Sequence, residues 1–171
     1  MKCLLVIDVQ NGFVSDTTRF VLPRLQQLIT EFSEGPIIAT KFINLDGTGF
    51  TDIMHWGRLK EEPETALIPF VEKGSSVIVE KNTYTAYIPE VIELLKKNDI
   101  QEVFMAGIDT DCCVLATAIS LFEHNVRPIV LEYYCASNGG QESHSAALRV
   151  MDRTIGRKQI FHGTYPFPVK G

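Results

Sequence analysis

The residues able to do chemistry fall at three places along the chain. At 107–117, Gly-Ile-Asp-Thr-Asp-Cys-Cys-Val-Leu-Ala-Thr, two adjacent thiols sit where an apolar run gives way to a helical pattern. The run Glu102-Val103-Phe104-Met105-Ala106 reads as a buried strand and 114–122 as a helix, with Thr110 or Asp111 placed to cap it. A cysteine in a first helical turn faces unpaired backbone N–H groups and the positive end of the helix dipole, and both favour thiolate. The same N–H groups can hold an oxyanion. Two distant residues occupy like positions: Asp8 ends the apolar run 3–7, and Lys81 follows the run 76–80. Each has an ordinary alternative. A cysteine packs well in a strand–helix junction, Asp8 can cap the turn at Asn11-Gly12, and Lys81 can be solvated. Together, Asp8, Lys81 and Cys113 supply a proton acceptor, a cation and a nucleophile at the ends of three strands.

The elements that must position them follow from the alternation of short apolar runs with amphipathic stretches. Residues 3–7, 36–42, 76–80, 102–106 and 127–131 are strand-like and apolar on both faces, and a short sixth strand is expected near 159–161. Between them, 18–33, 63–73, 87–97, 111–125 and 141–153 carry apolar residues at helical spacing. Apolar strands alternating with helices imply a three-layer α/β/α domain around a mostly parallel, doubly wound sheet of about six strands, Rossmann-like in kind. With no repeat or linker in the sequence, residues 1–171 read as one domain. Ligands bind beyond the carboxyl ends of such strands. The irregular segment 43–62, which holds the one tryptophan, leaves from the end of the second strand, and a loop of that length inside a domain is usually functional.

Composition removes several classes of function. A net charge of −5, without a basic run, argues against nucleic acid or an anionic membrane as partner. The apolar start of the chain is short, ends in Asp8 and has no small-residue cleavage site, so it reads as a strand rather than a leader. Cys3, Cys112, Cys113 and Cys135 show neither C-x-x-C nor zinc-ligand spacing, and neighbouring cysteines bridge only with strain. Reduced thiols and a cytoplasmic location are the economical expectation. No G-x-G-x-x-G or G-x-x-x-x-G-K-[ST] is present, so a nucleotide cradle is poorly supported. A thiol-sensing protein built on Cys112, Cys113 and Cys135 is a competing class.

Asp8-Val9-Gln10-Asn11-Gly12-Phe13, Lys81-Asn82-Thr83-Tyr84-Thr85-Ala86-Tyr87 and Gly107-Ile108-Asp109-Thr110-Asp111-Cys112-Cys113-Val114 resemble, in order, the three signature blocks of the isochorismatase-like cysteine hydrolases. That superfamily includes isochorismatases, nicotinamidases and N-carbamoylsarcosine-type amidohydrolases, and the resemblance covers about residues 1–135. It implies a triad of Asp8, Lys81 and Cys113 and selects Cys113 over Cys112 as the nucleophile. It also implies a cis peptide at Ile108–Asp109, an oxyanion hole of the Asp109 and Cys113 amides, and a homo-oligomer, dimer or tetramer.

The chain departs from nicotinamidases where they carry a metal. The corresponding stretch has Asp46, Asp52 and one histidine, His55, so neither a catalytic metal nor any other cofactor is expected. Asn44, Phe50, His55 and Trp56, with Phe13, Tyr84 and Tyr87, are candidates to line a pocket for a small, flat or carboxylated molecule, and Arg58 is a candidate carboxylate anchor. The chain ends soon after the sixth strand, which favours an amide or related C–N substrate over the vinyl ether of isochorismatases. The tail His162-Gly163-Thr164-Tyr165-Pro166-Phe167-Pro168 is a candidate arm on a neighbouring subunit.

Overall fold

In the computed structural model, which describes residues 1–167, six strands form one sheet. They are β1 (Lys2–Ile7), β2 (Ile37–Phe42), β3 (Val77–Lys81), β4 (Glu102–Ile108), β5 (Arg127–Ala136) and β6 (Ile160–Phe161). Their order is β3-β2-β1-β4-β5-β6, and every pairing is parallel. The helices are α1 (Leu22–Glu31), α2 (Gly49–Asp52), α3 (Pro69–Gly74), α4 (Pro89–Lys97), α5 (Leu115–Glu123) and α6 (Gly140–Met151).

Alternation along β1 shows how the two faces are filled. Cys3, Leu5 and Ile7 join one core with Val91 and Leu95 of α4, Ala118 and Leu121 of α5, and Ala147 and Met151 of α6. Leu4 and Val6 join another with Leu25 and Leu28 of α1 and Val71 of α3. Both faces are therefore covered, as continuous apolar strands require. Among the described residues no helix is long and apolar enough to cross a membrane.

Several element boundaries differ from the sequence expectation. The 18–33 helix begins only at Leu22, after a tight turn over Arg19–Val21. The 63–73 segment is helical only from Pro69, because its first half lies along Gln10–Gly12. There Asn11 N and Gly12 N donate to Ala66 O and Glu64 O, at 2.9 Å each. β5 runs on to Ala136 through an irregularity in which Met105 pairs with Val130 but Gly107 with Cys135. The tail folds back on its own domain rather than outward. The Phe167 ring stacks on Phe104 at 4.5 Å, and Tyr165 N donates to Tyr134 Oη at 2.9 Å. Pro168 lies outside the described residues.

The strand order reverses between β1 and β4, which makes a crevice at their carboxyl ends. Gly107, paired with Ile7, permits the close approach there: its φ is +135°, and a Cβ would meet Ile7 O at 2.2 Å.

Candidate active site

Asp8 leaves β1 with φ +51°, and both it and Lys81, the last residue of β3, have fully buried side chains. Lys81 Nζ lies 2.7 Å from Asp8 Oδ2. It donates to Thr83 O at 2.7 Å, to Tyr84 O at 3.2 Å and to Cys113 Sγ at 3.6 Å. The ammonium's three protons are thus shared among these acceptors and the Asp8 carboxylate. The other carboxylate oxygen, Asp8 Oδ1, accepts from Thr40 Oγ1 at 2.6 Å. Oδ2 is therefore the oxygen in contact with the Lys81 ammonium, and a carboxylate oxygen so paired keeps a second lone pair that can take a proton.

Cys113 sits in a π-type turn, Thr110–Val114, that leads into α5. Neither Thr110 nor Asp111 caps this turn, contrary to expectation. Their side chains are drawn instead to the segment after β5. Thr110 Oγ1 bonds His144 Nδ1 at 2.8 Å, and Asp111 Oδ1 accepts from Ser137 Oγ at 2.6 Å. Thr117 Oγ1 donates to Cys113 O at 2.6 Å and accepts from Ala86 N at 2.9 Å, tying the turn to the loop after Lys81. Ser137, His144 and Thr117 were not singled out from the sequence, which offers no motif that marks them.

Electrostatics correct the expected thiolate. Burial first, then the Asp8 carboxylate, push the Cys113 thiol well above its ordinary value, and Lys81 only opposes them. A helix-end effect within one turn is too small to outweigh desolvation. For Lys81, burial disfavours the charge, but Asp8 and then Cys113 raise it above its ordinary value overall. These directions favour a thiol over a thiolate beside the Lys81–Asp8 pair.

Over Cys113 opens a cavity of about 330 Å³. Phe13, Phe42, Phe50, Trp56 and Tyr84 form its aromatic walls. Phe50 meets Phe42 edge-on at 5.0 Å and Tyr84 edge-on at 4.8 Å, and Phe13 lies nearly parallel to Trp56 at 6.2 Å. The 43–62 loop, with α2 inside it, carries Phe50 and Trp56 to the site. Gln10 fixes Phe42 through Nε2 to Phe42 O at 2.9 Å and Phe42 N to Oε1 at 2.7 Å.

Three expected lining residues do not reach the cavity. Asn44 is buried behind the loop, where Nδ2 donates to Trp56 O at 2.8 Å and Arg58 O at 2.9 Å; it holds the wall without forming its surface. His55, at φ +57°, is exposed and outside the lining. Tyr87 packs against His124 at 4.4 Å, beside the end of α5. Arg58 does line the cavity, but its half-exposed side chain donates through Nε to Glu64 Oε1 at 2.9 Å.

The peptide bond Ile108–Asp109 is cis. Asp109 lines the cavity as well, as does Cys112. Its Oδ1 accepts from both the backbone N and Nδ2 of Asn138, at 2.8 Å each. Asn138 also donates through Nδ2 to Phe13 O at 3.1 Å. A side-chain role for Asp109, and any role for Asn138, escaped the sequence reading. The one available signal was the position of Asn138-Gly139-Gly140 just past the fifth strand, on the ligand edge.

The Isochorismatase domain model matches residues 2–159. The chain belongs to the isochorismatase family. A curated family member, PncA of Bacillus subtilis (strain 168), is 35% identical over 79 residues, a match spanning 46% of this chain and 43% of that protein. The fold is that of N-carbamoylsarcosine amidase from Thermoplasma acidophilum, with TM-score 0.82, 20% identity and 99% of each chain covered. The pyrazinamidase/nicotinamidase of Streptococcus mutans UA159 superposes with TM-score 0.81 at 22% identity, covering 94% of this chain and all of that one.

Relatives of this fold include a Pyrococcus horikoshii pyrazinamidase solved in complex with zinc, at TM-score 0.77 and 20% identity over 96% of this chain and 99% of that one. The loop here does not supply a donor set for such an ion. Asp46 pairs with Lys60, and Asp52 Oδ1 accepts from Thr51 Oγ1 at 2.8 Å. Among the described residues no three His, Cys, Asp or Glu side chains are grouped to hold a metal.

Proposed function

We propose that the protein hydrolyses a small amide, carbamoyl or related C–N bond, with Cys113 as nucleophile and without a metal. The observation that carries this is the buried Lys81 ammonium, 2.7 Å from Asp8 Oδ2 and 3.6 Å from the Sγ of Cys113, which itself lines an aromatic cavity. The amidases among the fold relatives support the same reading.

Because the thiol rests protonated, its proton leaves as attack begins. Asp8 Oδ2 takes it, and Sγ bonds to the carbonyl carbon. The carbonyl oxygen becomes an oxyanion held by the Asp109 and Cys113 amides, each such donor being worth about 3 kcal/mol. Collapse breaks the C–N bond, and Asp8 returns the proton to the departing nitrogen, leaving a thioester. Water then attacks the thioester, Asp8 accepting its proton and passing it to sulfur. Lys81 stays charged throughout and offsets the negative charge as it moves between Asp8 and Cys113.

The test is a screen of small amides, ureas and carbamoyl compounds for ammonia release, with Cys113→Ala as control. Turnover is expected with the parent and not with the variant. Equal ammonia from both proteins overturns the mechanism. The thiol-sensing alternative gains nothing from the structure. Burial and then the Asp111 and Asp109 charges push Cys112 up to about 12, and burial pushes Cys135 up to about 12. A raised thiol reacts only where a neighbouring base takes its proton as attack begins; Cys113 has the Asp8–Lys81 pair for this, and among the described residues neither Cys112 nor Cys135 has such a pair.

A further inference from the structure

Every charge at the pocket has a partner except one. The Lys81 ammonium is answered by Asp8. Arg58, the one cation among the described lining residues, is answered by Glu64, whose carboxylate is held below its ordinary value first by the Leu59 N–H and then by Arg58. Asp109 is the one acid among the described lining residues, and its only hydrogen-bond partners among the described residues come from neutral Asn138. Both of those bonds go to Oδ1. They hold the carboxyl plane and leave Oδ2 without a hydrogen bond among the described residues.

Five aromatic residues line the same cavity as this acid. Ring faces attract cations and repel anions, and they do so more strongly in a desolvated pocket. Lys81 already shows the pattern, with Nζ 5.2 Å from the Phe42 ring centroid. A carboxylate within an aromatic enclosure is a receptor for positive charge. The same arrangement disfavours a carboxylated substrate, which would meet Asp109 before it met an unpaired cation.

We propose that the pocket selects molecules carrying an ammonium or amidinium-like cation a few bonds from the scissile carbonyl, with the Asp109 carboxylate as counter-ion and the aromatic walls around it. The short separation follows from covalent geometry. The proposed oxyanion donor is the backbone N–H of Asp109, and the counter-ion is the side chain of that same residue. In the empty pocket burial pushes the Asp109 carboxyl up to about 6, against the lowering effect of Asn138. A bound cation supplies the compensation that is missing.

This inference rests on the pocket being the hydrolase site, but binding tests it without turnover. Benzylammonium, benzyl alcohol and benzoate are titrated calorimetrically at pH 7.5 into the Cys113→Ala protein. Benzylammonium is expected to bind at least about tenfold more tightly than benzyl alcohol, and benzoate more weakly than either. Adding Asp109→Asn, which keeps the shape and the backbone N–H, is expected to remove most of the preference for benzylammonium. Equal binding of the cation and the alcohol, a preference for benzoate, or a preference that survives Asp109→Asn overturns the proposal. The three-probe comparison needs only the Cys113→Ala protein, so it stands even if Asp109→Asn does not fold. Ammonia release from neutral amides without any preference for the cation would leave the hydrolase reading intact and sink this one.

Discussion

Two aspartates stand just past the ends of neighbouring strands, Asp8 after β1 and Asp109 after β4, and the protein treats them in opposite ways. Asp8 is fully buried and has an ammonium 2.7 Å away and a threonine hydroxyl at 2.6 Å. Asp109 is partly exposed to the cavity and has only an asparagine. The first is a charge whose cost is met within the protein. The second is left for something that enters. The difference follows from topology: β3 ends in Lys81 and delivers a cation to Asp8, whereas the segment after β5 brings Ser137 and Asn138, which carry no charge. On the proposed reading, a reacting centre and a recognition element use the same side-chain type at the ends of neighbouring strands.

Breaking the compensated side should have the largest effect. Lys81→Met leaves Asp8 buried without its cation, which typically costs about 3–5 kcal/mol. Urea unfolding should show a loss of that size, and turnover should fall by about 10²–10³-fold. The double variant Asp8→Asn/Lys81→Met sharpens the point. It should recover most of the stability and none of the activity. If the single variant is as stable as the parent, Asp8 is not held by Lys81.

The uncompensated side predicts the opposite sign. The Asp109 carboxyl lies at about 6 in the folded protein against an ordinary 3.8, so the folded state binds its proton more tightly than the unfolded chain does. The stability this confers is full below about 4 and is lost as pH rises through about 6. Asp109→Asn has no charge to bury at any pH. It should match the parent near pH 4 and be more stable at pH 7.5 by on the order of 2 kcal/mol. Paired melts at the two pH values measure this, and a variant destabilised equally at both would show that Asp109 meets no such penalty. A stabilising change that removes selectivity is the usual mark of a functional group kept at a cost.

The two aspartates were not equally legible in the sequence. Strand-end position together with Lys81 and Cys113 marked Asp8, because the chemistry of three groups converges and apolar runs locate strand ends well. The six strands and the parallel sheet were readable for the same reason. Asp109 was expected only as a backbone donor. Its side-chain role depends on which way one carboxyl turns and on the absence of a nearby cation, and no motif encodes an absence. Asn44, His55 and Tyr87 failed as pocket residues for a related reason. Within an irregular loop no periodicity says which side chain faces inward, so type alone could not separate Trp56, which lines the cavity, from His55 beside it. The pull of the helix start toward thiolate was legible from position, whereas the burial that opposes it at Cys113 was not.

Arg58 gives the smallest and most discriminating effect. As a carboxylate anchor, Arg58→Gln would abolish binding of anionic ligands. With its charge answered by Glu64 in a half-exposed pair, its loss should change stability by less than about 1 kcal/mol. Removing a positive charge from the cavity wall should also tighten benzylammonium, by less than about fivefold, since that factor corresponds to about 1 kcal/mol. The direction matters more than the size. Asp109→Asn and Arg58→Gln should move cation binding in opposite senses, the first strongly and the second weakly, because one removes the charge left unanswered among the described lining residues and the other removes a charge already answered by Glu64. A weaker benzylammonium titration in Arg58→Gln would mean that Glu64 and Asp109 share Arg58, and the two aspartates would then differ in degree rather than in kind.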